Sequence, residues 1–431
     1  MAPIDTGRRR LLKGLVFGTA AATFPANAAP ASRPTSAKDV SPADLARDEA
    51  FWREVGRHYE RTDGILNLEH GYWAKMAQPV KQAYFDSLDT VNRQNSYYAR
   101  RDYRQDDADV RARVAQALGA HDDEMVITRN ATEGFHSLVR QYRGLGEGDA
   151  VLLADVDYPS YKPLLRWLGD SRGVDVVEIM LPSRSSQDEV LKRYVDAFDA
   201  HPNLKLAIVT HASNQHGLVL PVADISAAAR KRGIDVICDA AQSWGLLDFT
   251  IDELGVDWAV FNLHKWIGAP LGTGAMFLRR DTLHKVAPYP GESDPEKVSA
   301  AARIHSGTVN FSARLAVPDA LDFHDAVGPA NKEARLRYLR GIWTSAADEM
   351  PNIEVLGGLD ETAWSGIASF RIKGKSAVDD AVALQQRLEQ DFGIFTVIRT
   401  GLASGACVRV TPQVFNTPDD VGQLVDALRR V

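Results

Sequence analysis

A lysine follows a predicted buried strand near the middle of the chain. The apolar run at residues 258–263 ends on His264 and Lys265, and the glycine-rich loop "GAPLGTG" at 268–274 comes next. A lysine is costly to bury, so a sequence that places one at the end of a buried strand indicates that this lysine has a chemical function. An amine whose pKa is lowered by burial is a good nucleophile toward a carbonyl group. We therefore predict that Lys265 is a reactive amine.

A carboxylate lies one predicted strand before this lysine. The run "IDVICDAAQS" at residues 234–243 delivers Asp239 at the end of a strand, with Gln242 three residues later. Lys265 follows Asp239 by 26 residues, which fits two consecutive strands joined by a turn or a short helix. In an open parallel sheet, ligands bind outside the carboxyl ends of the strands. We expect both side chains to reach one small ligand.

A predicted helix start offers a site for an anion. The strand "EMVIT" at residues 124–128 leads into Asn130, Ala131 and Thr132, where a helix begins. Free backbone N–H groups and the helix dipole favour a negative group there, above all a phosphate. The alternative, that Thr132 only caps its helix, is equally compatible with the sequence.

Two further strand ends add an aromatic ring and an amide. The run "DAVLLAD" at 149–155 leads into Tyr158, and "KLAIVTHAS" at 205–213 is followed by Asn214. The ring of Tyr158 is suited to stack on a flat ligand, although a tyrosine at the edge of a core is the commoner explanation. Both residues are expected at the same edge of the sheet as Lys265.

Together these groups match the requirements of pyridoxal phosphate. Its aldehyde needs a lysine in a dry pocket, and its ring nitrogen needs a carboxylate that keeps it protonated. Its phosphate needs a helix N-terminus, and its ring needs a stacking partner. Each signal alone is weak, but their combination predicts a pyridoxal 5′-phosphate site.

Several short motifs carry a family resemblance. The chain resembles the class V aminotransferase family of fold-type I pyridoxal-phosphate enzymes over roughly residues 60–430, and in particular its isopenicillin N epimerase-like branch. The combination is highly specific for the family and much less specific for the reaction. The motifs are "LNLEHGYWA" (66–74), "NATEGF" (130–135), "YPSY" (158–161), "CDAAQSWG" (238–245), "HK" (264–265), "SGT" (306–308) and "RVTPQVFNTPDD" (409–420).

The resemblance implies roles for the residues around the cofactor ring. Lys265 matches the lysine that forms the Schiff base, and Asp239 matches the partner of the pyridine nitrogen. Gln242 and Asn214 fall where the family forms hydrogen bonds to the phenolic oxygen of the cofactor. Tyr158 occupies the stacking position, where many family members have histidine.

The resemblance also implies how the phosphate is held. Thr132, with the neighbouring Asn130 and Ala131, and His264 match phosphate contacts of the family. Thr308 in "SGT" resembles a phosphate contact that the neighbouring subunit provides. The resemblance therefore implies a homodimer with shared sites.

Two arginines are candidates for the substrate. Arg409 matches the arginine that binds the α-carboxylate of an amino-acid substrate, a task that suits a planar guanidinium. Arg399 is a second candidate, with a surface salt bridge as its structural alternative. The resemblance thus implies that the substrate is an amino acid.

The reaction type is open at this point. An epimerase-like reaction at Cα is the leading expectation, with an aminotransferase or a β-eliminating C–S lyase as the alternative and a non-catalytic binding protein as a third. Epimerisation benefits from a second acid on the far face of the substrate. The candidates for it are Tyr97, Tyr98, His70 and His305.

The cysteines disfavour one activity of the family. Cysteine desulfurases carry a nucleophilic cysteine in the loop after an "RTG" motif, whereas "RTGLASGACVRV" at residues 399–410 places Ser404 near that position. Cys407 stands in a strand-like run, and Cys238 stands beside Asp239 on a buried strand, so both are expected in the core. Two cysteines also support neither a disulfide framework nor a cysteine-rich metal site, and no metal is expected.

The elements that position these residues alternate between short apolar runs and helical patterns, which predicts an α/β fold. We expect a large domain at residues 76–310 with a mainly parallel seven-stranded sheet. A connecting helix and a small α+β C-terminal domain at 311–431 complete the expected fold, after a lead-in and arm at 29–75. The predicted strands are 124–128, 149–155, 174–180, 205–213, 234–240, 258–263 and 274–279.

The first residues differ from the rest of the chain. Residues 1–28 combine Arg8 and Arg9 with a short apolar stretch and an A-x-A site at 26–28, which resembles a twin-arginine export signal. A disordered basic tail is the alternative. The signal predicts a periplasmic protein without a stable membrane anchor once it is removed.

Composition excludes some partners. The chain has 50 basic and 57 acidic side chains, for a net charge of −7, and no basic stripe. A nucleic-acid partner is therefore not expected.

Overall fold

Seven short apolar runs of this chain become the strands of one sheet. In the computed structural model, which describes residues 40–294, 297 and 299–431, all seven predicted strands are present in a single seven-stranded sheet. The predicted signal at residues 1–28 lies outside the described residues, so export stays a prediction. Within the described part of the chain, no helix has the length and apolarity that a membrane crossing needs.

The strands and helices are numbered in chain order. The strands are β1 Leu66–Asn67, β2 Met125–Thr128, β3 Ala150–Ala154, β4 Asp175–Ile179, β5 Arg184–Ser185, β6 Leu204–Thr210, β7 Asp235–Asp239, β8 Trp258–Asn262, β9 Gly274–Leu278, β10 Ile353–Gly358, β11 Ala368–Ile372, β12 Ile394–Phe395, β13 Val397–Arg399 and β14 Cys407–Val410. The helices are α1 Pro42–Leu45, α2 Glu49–Gly56, α3 Gln78–Arg101, α4 Tyr103–Leu118, α5 Ala131–Gln141, α6 Tyr161–Arg172, α7 Gln187–Ala200, α8 Val222–Arg230, α9 Ile251–Leu254, α10 Phe311–Leu315, α11 Val317–Val327, α12 Pro329–Asp348, α13 Val378–Phe392 and α14 Pro418–Leu428.

The large sheet has the strand order β2-β9-β8-β7-β6-β3-β4. All neighbouring pairs from β8 to β4 are parallel, and β9 runs antiparallel to both β8 and β2. The expectation of an α/β fold with a mainly parallel sheet is confirmed.

Both faces of the large sheet are covered at its central strands, which explains why β3, β8 and β9 are buried at every position, whereas the edge strand β4 is largely exposed. Leu152 of β3 packs into one buried cluster, whereas its neighbours Val151 and Leu153 pack into the cluster on the opposite face. Helices reach both faces because each parallel connection needs a crossover. One example is α8, which connects β6 to β7.

Strand register brings the chemical residues to one edge. Asp239 ends β7, opposite Thr210 of β6 and Val260 of β8. His264 and Lys265 follow β8 at the same edge. The segment between Asp239 and Lys265 contains the short helix α9, in agreement with the predicted connection.

A second sheet forms from four C-terminal strands, with β5 from the middle of the chain at one edge. Its strand order is β13-β14-β11-β10-β5, and α12, α13 and α14 contribute to its apolar core around Trp343 and Phe370. Thr417 caps α14 through its side chain, and Pro418 stands in the first turn of that helix. The boundary between residues 310 and 311 stays a prediction.

Two short strands join distant parts of the chain. The segment of β1 pairs in parallel with β12, so Leu66 lies opposite Ile394. Likewise, β5 pairs in parallel with β10. The β1 pairing and a bridge between Glu69 and Thr411 place this segment beside β12 and the end of β14, where most of its residues line the cavity described below.

A glycine permits close packing where β9 begins. A Cβ atom on Gly274 would lie 2.6 Å from Cα of Asn130, at the start of α5. We predict that Gly274→Ala destabilises the protein by about 1–3 kcal/mol, because backbone must shift to relieve the contact. A lowered melting temperature of the holoenzyme would show it.

The control is Gly422→Ala in α14, where a Cβ atom would meet nothing within 4 Å. This variant should be stabilised by about 0.5–1 kcal/mol, since alanine is favoured over glycine inside a helix. Equal melting temperatures for the two variants would contradict the packing argument.

Candidate active site

A cavity of about 1210 Å³ lies at the carboxyl edge of the large sheet. The ends of the central strands, the segment after β1, and β13 with β14 all contribute to its wall. It brings together every residue predicted to bind the cofactor or the substrate carboxylate, except Thr308. These residues are Asn130, Ala131, Thr132, Tyr158, Asn214, Asp239, Gln242, His264, Lys265, Arg399 and Arg409.

Lys265 is half-buried in this cavity. Burial lowers the pKa of its amine from 10.5 to about 8; Asp239 opposes the shift, and Arg409 and Arg399 add to it. A small fraction of the amine is therefore unprotonated at neutral pH, and the amine becomes a competent nucleophile and base just above neutrality.

Asp239 is a buried carboxylate with 6% exposure. One oxygen, Oδ1, accepts a hydrogen bond from the backbone N–H of Ala241 at 2.9 Å. Burial raises the pKa of this carboxyl group, whereas Ala241, the charge of Lys265 and a hydrogen bond with Tyr161 lower it. A protonated ring nitrogen beside it would favour the ionised form, so the carboxylate fits the predicted cofactor.

Neighbouring aromatic rings support Tyr158, the residue predicted to stack on the ring of the cofactor. Tyr158 is 37% exposed and lines the cavity, so it is not an ordinary core residue. Its ring lies edge-on to Tyr161, with 5.4 Å between the ring centroids. Tyr161 in turn stacks on Phe135 at 3.5 Å. The stacking surface is therefore held from behind by buried rings.

The structure decides between the two predictions for Thr132 at the start of α5. Asn130, not Thr132, is the N-cap, since its side chain accepts a hydrogen bond from the N–H of Glu133. Thr132 is half-buried and lines the cavity, so the reading of Thr132 as a cap is wrong. The N–H of Ala131 donates to Oδ1 of Asn262 at 2.9 Å, which fixes the helix start to the end of β8.

His264 has a defined tautomer. Its Nδ1 lies 2.7 Å from the carbonyl oxygen of Thr273, and a carbonyl only accepts, so Nδ1 carries the hydrogen. Burial lowers the pKa of the ring to about 4. Nε2 therefore lacks a hydrogen in the neutral ring, and His264 donates to a phosphate only if the phosphate charge protonates it.

Gln242 and Asn214 have several protein partners each. Gln242 donates from Nε2 to the carbonyl oxygen of Gly71 at 2.9 Å, and its Oε1 accepts from Trp266 at 2.8 Å. The backbone oxygen of Asn214 accepts from Arg399 and Arg409. Since Nε2 of Gln242 has a second hydrogen, the predicted contact with the cofactor oxygen stays available.

Arg409 is fully buried and already paired. Its Nη2 lies 2.6 and 2.9 Å from the two carboxylate oxygens of Glu69. Burial raises the pKa of Glu69, but the charge and hydrogen bonds of Arg409 outweigh it and hold that pKa below its usual value. The predicted receptor for the substrate carboxylate thus already binds a carboxylate of the chain itself.

The sequence alone did not predict four residues that contact the predicted site residues. They are Glu69, Tyr161, Asn262 and Trp266. Glu69 is the only acidic residue in the motif "LNLEHGYWA", and that was the one available signal. The pairing that brings it to Arg409 spans 340 residues of sequence, so no local pattern predicts it.

Several candidates lie away from this cavity. Thr308 is exposed, in agreement with a contact to another subunit, which stays a prediction. Of the candidates for a second acid, Tyr97, Tyr98 and His305 do not line the cavity, whereas His70 does. His70 is buried, its Nε2 lies 3.1 Å from the carbonyl oxygen of Asn67, and burial lowers its pKa to about 4.

Neither cysteine is available to a substrate. Cys238 and Cys407 are both fully buried and do not line the cavity. Burial raises the pKa of the Cys407 thiol to about 11 and that of Cys238 well above its usual value. The expectation that both pack in the core is confirmed.

Comparison with known proteins gives one family. A family model described as aminotransferase class-V matches residues 74–424. A cysteine desulfurase of Haloferax volcanii is 25% identical over 403 residues, covering 86% of this chain and 91% of the relative. An isopenicillin N epimerase of Amycolatopsis lactamdurans is 25% identical, covering 74% and 84%. A probable chloroplastic L-cysteine desulfhydrase of Arabidopsis thaliana is 25% identical, covering 84% and 79%.

A solved structure has the same fold. The complex of the cystine C–S lyase C-DES with cysteine persulfide superposes with a TM-score of 0.74 at 20% identity. The match covers 85% of this chain and 97% of that one. Fold-type I architecture is thereby confirmed.

The lowered pKa of Lys265 is testable by chemistry. We predict that covalent attachment of pyridoxal 5′-phosphate to cofactor-free protein accelerates as pH rises through about 8, because only the unprotonated amine attacks the aldehyde. Borohydride reduction followed by peptide mass spectrometry measures the labelled fraction. Lys265→Ala is the blank for that peptide, and a midpoint near the ordinary value of 10.5 would contradict the assignment.

Proposed function

Because this chain belongs to the aminotransferase class-V family, and its cofactor is pyridoxal 5′-phosphate, we propose that it is a lyase that removes a sulfur substituent from Cβ of a cysteine-like amino acid. One observation carries the proposal. The cavity holds an activated amine, Lys265, opposite a buried carboxylate, Asp239, and no thiol among its described lining residues.

The residues present fit the cofactor. Lys265 would bind its aldehyde, Asp239 would lie at its ring nitrogen, and Tyr158 would cover one face of its ring. The first turn of α5 at Thr132 would hold its phosphate, since backbone N–H groups and the helix dipole favour an anion there. When bound, the cofactor supplies an electron sink for a carbanion at Cα.

The chain itself contributes binding and proton transfer. With the cofactor bound, an arginine would hold the substrate carboxylate, and the amine of Lys265 would take the proton from Cα. The electron pair of the Cα–H bond then expels the substituent as the Cβ–S bond breaks. With L-cysteine the balanced reaction consumes one water and yields pyruvate, ammonia and hydrogen sulfide.

The position of the cysteines favours this lyase over a desulfurase. Transfer of sulfur to the enzyme needs an accessible nucleophilic thiol, and Cys238 and Cys407 are both buried. Elimination needs no such thiol. The similarity to cysteine desulfhydrases of Arabidopsis thaliana and rice supports the same choice.

Epimerisation at Cα, the leading expectation from sequence, is the second candidate. His70 lies in the cavity and is the one proposed second acid that a single chain places there. Two isopenicillin N epimerases, at 25% and 24% identity, also support it. The buried, neutral ring of His70, already close to a backbone carbonyl, is less suited to protonate Cα than Lys265 is.

Assembly and location are proposals on separate grounds. The exposed position of Thr308 supports a homodimer in which each chain contributes to the partner's phosphate site. The twin-arginine motif at residues 8–9 supports export to the periplasm. A protein that is monomeric by light scattering, or that keeps residues 1–28 in the cytosol, would contradict the respective proposal.

The lyase predicts equimolar products. Purified holoenzyme with L-cysteine should release pyruvate and sulfide one to one, and Lys265→Ala should lower the rate by roughly 10²–10⁴-fold, as expected for loss of the base. Lys375→Ala, at an exposed lysine, is the matched control and should keep the wild-type rate.

A parallel incubation with L-alanine in D2O separates the candidates. Because alanine has no leaving group, the lyase should only exchange its Cα proton with retention of configuration. Formation of D-alanine, with no pyruvate from cysteine, would instead support the epimerase. Absence of both exchange and pyruvate would contradict an enzyme acting at Cα.

A further inference from the structure

The guanidinium of Arg409 already binds a carboxylate through Nη2, and its unpartnered Nε is buried. Its Nη2 donates to both oxygens of Glu69, at 2.6 and 2.9 Å, and its Nη1 donates to the carbonyl oxygen of Asn214 at 2.8 Å. The side chain has 0% exposure. A substrate carboxylate would need the position that Glu69 occupies.

Glu69 is itself held by groups other than Arg409. Its Oε1 accepts from the backbone N–H of Tyr72 at 2.9 Å, and its Oε2 accepts from the hydroxyl of Thr411 at 3.3 Å. A Cβ atom on Gly71 would lie 2.7 Å from Nη2 of Arg409, so the backbone itself covers the guanidinium. The ion pair is enclosed by protein on several sides.

The segment that carries Glu69 is fixed at both ends. Leu68 donates to the carbonyl oxygen of Phe395, and the N–H of His70 donates to the hydroxyl of Thr411 at 2.8 Å. Further along, the carbonyl oxygen of Gly71 accepts from Gln242, and Ala74 donates to the carbonyl oxygen of His264. A swing of Glu69 away from Arg409 would break this network or leave a buried guanidinium unpaired.

Within the described part of the chain, Arg399 differs from Arg409 in having no carboxylate at its Nη2 atom. It lines the same cavity and is half-buried, and burial lowers its pKa to about 10, which leaves it protonated at neutral pH. Its Nε and Nη1 donate at 3.3 and 3.2 Å to the carbonyl oxygens of Asn214 and Ile398. Its Nη2 has no hydrogen-bond partner, and no carboxylate pairs with it, within the described residues.

We propose that Glu69 determines which arginine receives the substrate: it occupies Arg409 and leaves Arg399 as the carboxylate receptor. This inference rests on the proposed function only in taking the substrate to be an amino acid. Removing one partner of a buried ion pair is strongly destabilising, whereas Arg399 can bind a carboxylate without any rearrangement. The site therefore takes substrates with one carboxylate near these arginines.

Equilibrium binding tests the receptor without turnover. The absorbance of the bound cofactor reports binding of L-alanine and of L-alaninamide, which differ only in the carboxylate. Wild type should bind alanine at least about tenfold more tightly, as expected for hydrogen bonds to a charged group. Arg399→Gln should reduce this ratio to about one, and Arg399→Lys should keep part of it because the charge remains.

Glu69→Gln tests the determinant itself. This variant keeps the shape of the side chain but removes the charge that competes for Arg409. It should gain affinity for L-aspartate relative to L-asparagine, roughly tenfold over wild type, because Arg409 becomes a second receptor. A purely structural role would change the affinity for both ligands equally, and melting temperature shows whether the variant is folded.

The outcomes are decisive in each direction. If Arg399→Gln keeps the wild-type ratio of affinities for alanine and alaninamide, the proposal is wrong, whatever Glu69→Gln binds. A wild type that prefers alanine by absorbance but yields no pyruvate from cysteine would refute the lyase and leave the role of Glu69 intact. Equal wild-type binding of alanine and alaninamide would refute the role of Glu69 directly.

Discussion

Two groups of opposite charge at the sheet edge, the half-buried amine of Lys265 and the buried carboxylate of Asp239, are the constraint on which the rest of this structure depends. Burial disfavours both charged forms, so it lowers the pKa of the amine and raises that of the carboxyl group. Their mutual attraction opposes both shifts. The pairing of β7 with β8 sets where these two groups stand, because Asp239 ends one strand and Lys265 follows the other.

The cavity needs walls that the large sheet cannot supply. One wall is the segment after β1, which is held by the pairing of β1 with β12 and by the ion pair of Glu69 with Arg409. Gln242, just after β7, holds that segment in place by donating a hydrogen bond to the carbonyl oxygen of Gly71. Because these contacts join three distant parts of the chain, the geometry of the site depends on the whole fold being formed.

Local chemistry explains why much of the site was predictable. A strand, a helix start or a glycine-rich loop leaves its signal within about ten residues, and Lys265, Asp239 and Tyr158 each stand at such a signal. Thr132 shows the limit of this reasoning. Its sequence allowed either a cap or a cavity residue, and only the extended backbone of Asn130, which places that side chain over the N–H of Glu133, decides between them.

The sequence by itself determined the seven strands of the large sheet, the cofactor chemistry expected of Lys265 and Asp239, and the absence of a reactive cysteine after the "RTG" motif. Periodicity and residue type are local properties, and they are legible without coordinates. Only the tertiary structure decided that Arg409 is paired with Glu69, that Arg399 keeps free donors, and that His264 has its hydrogen on Nδ1. These are partnerships between residues far apart in sequence, and partner choice depends on distance and burial in the folded chain.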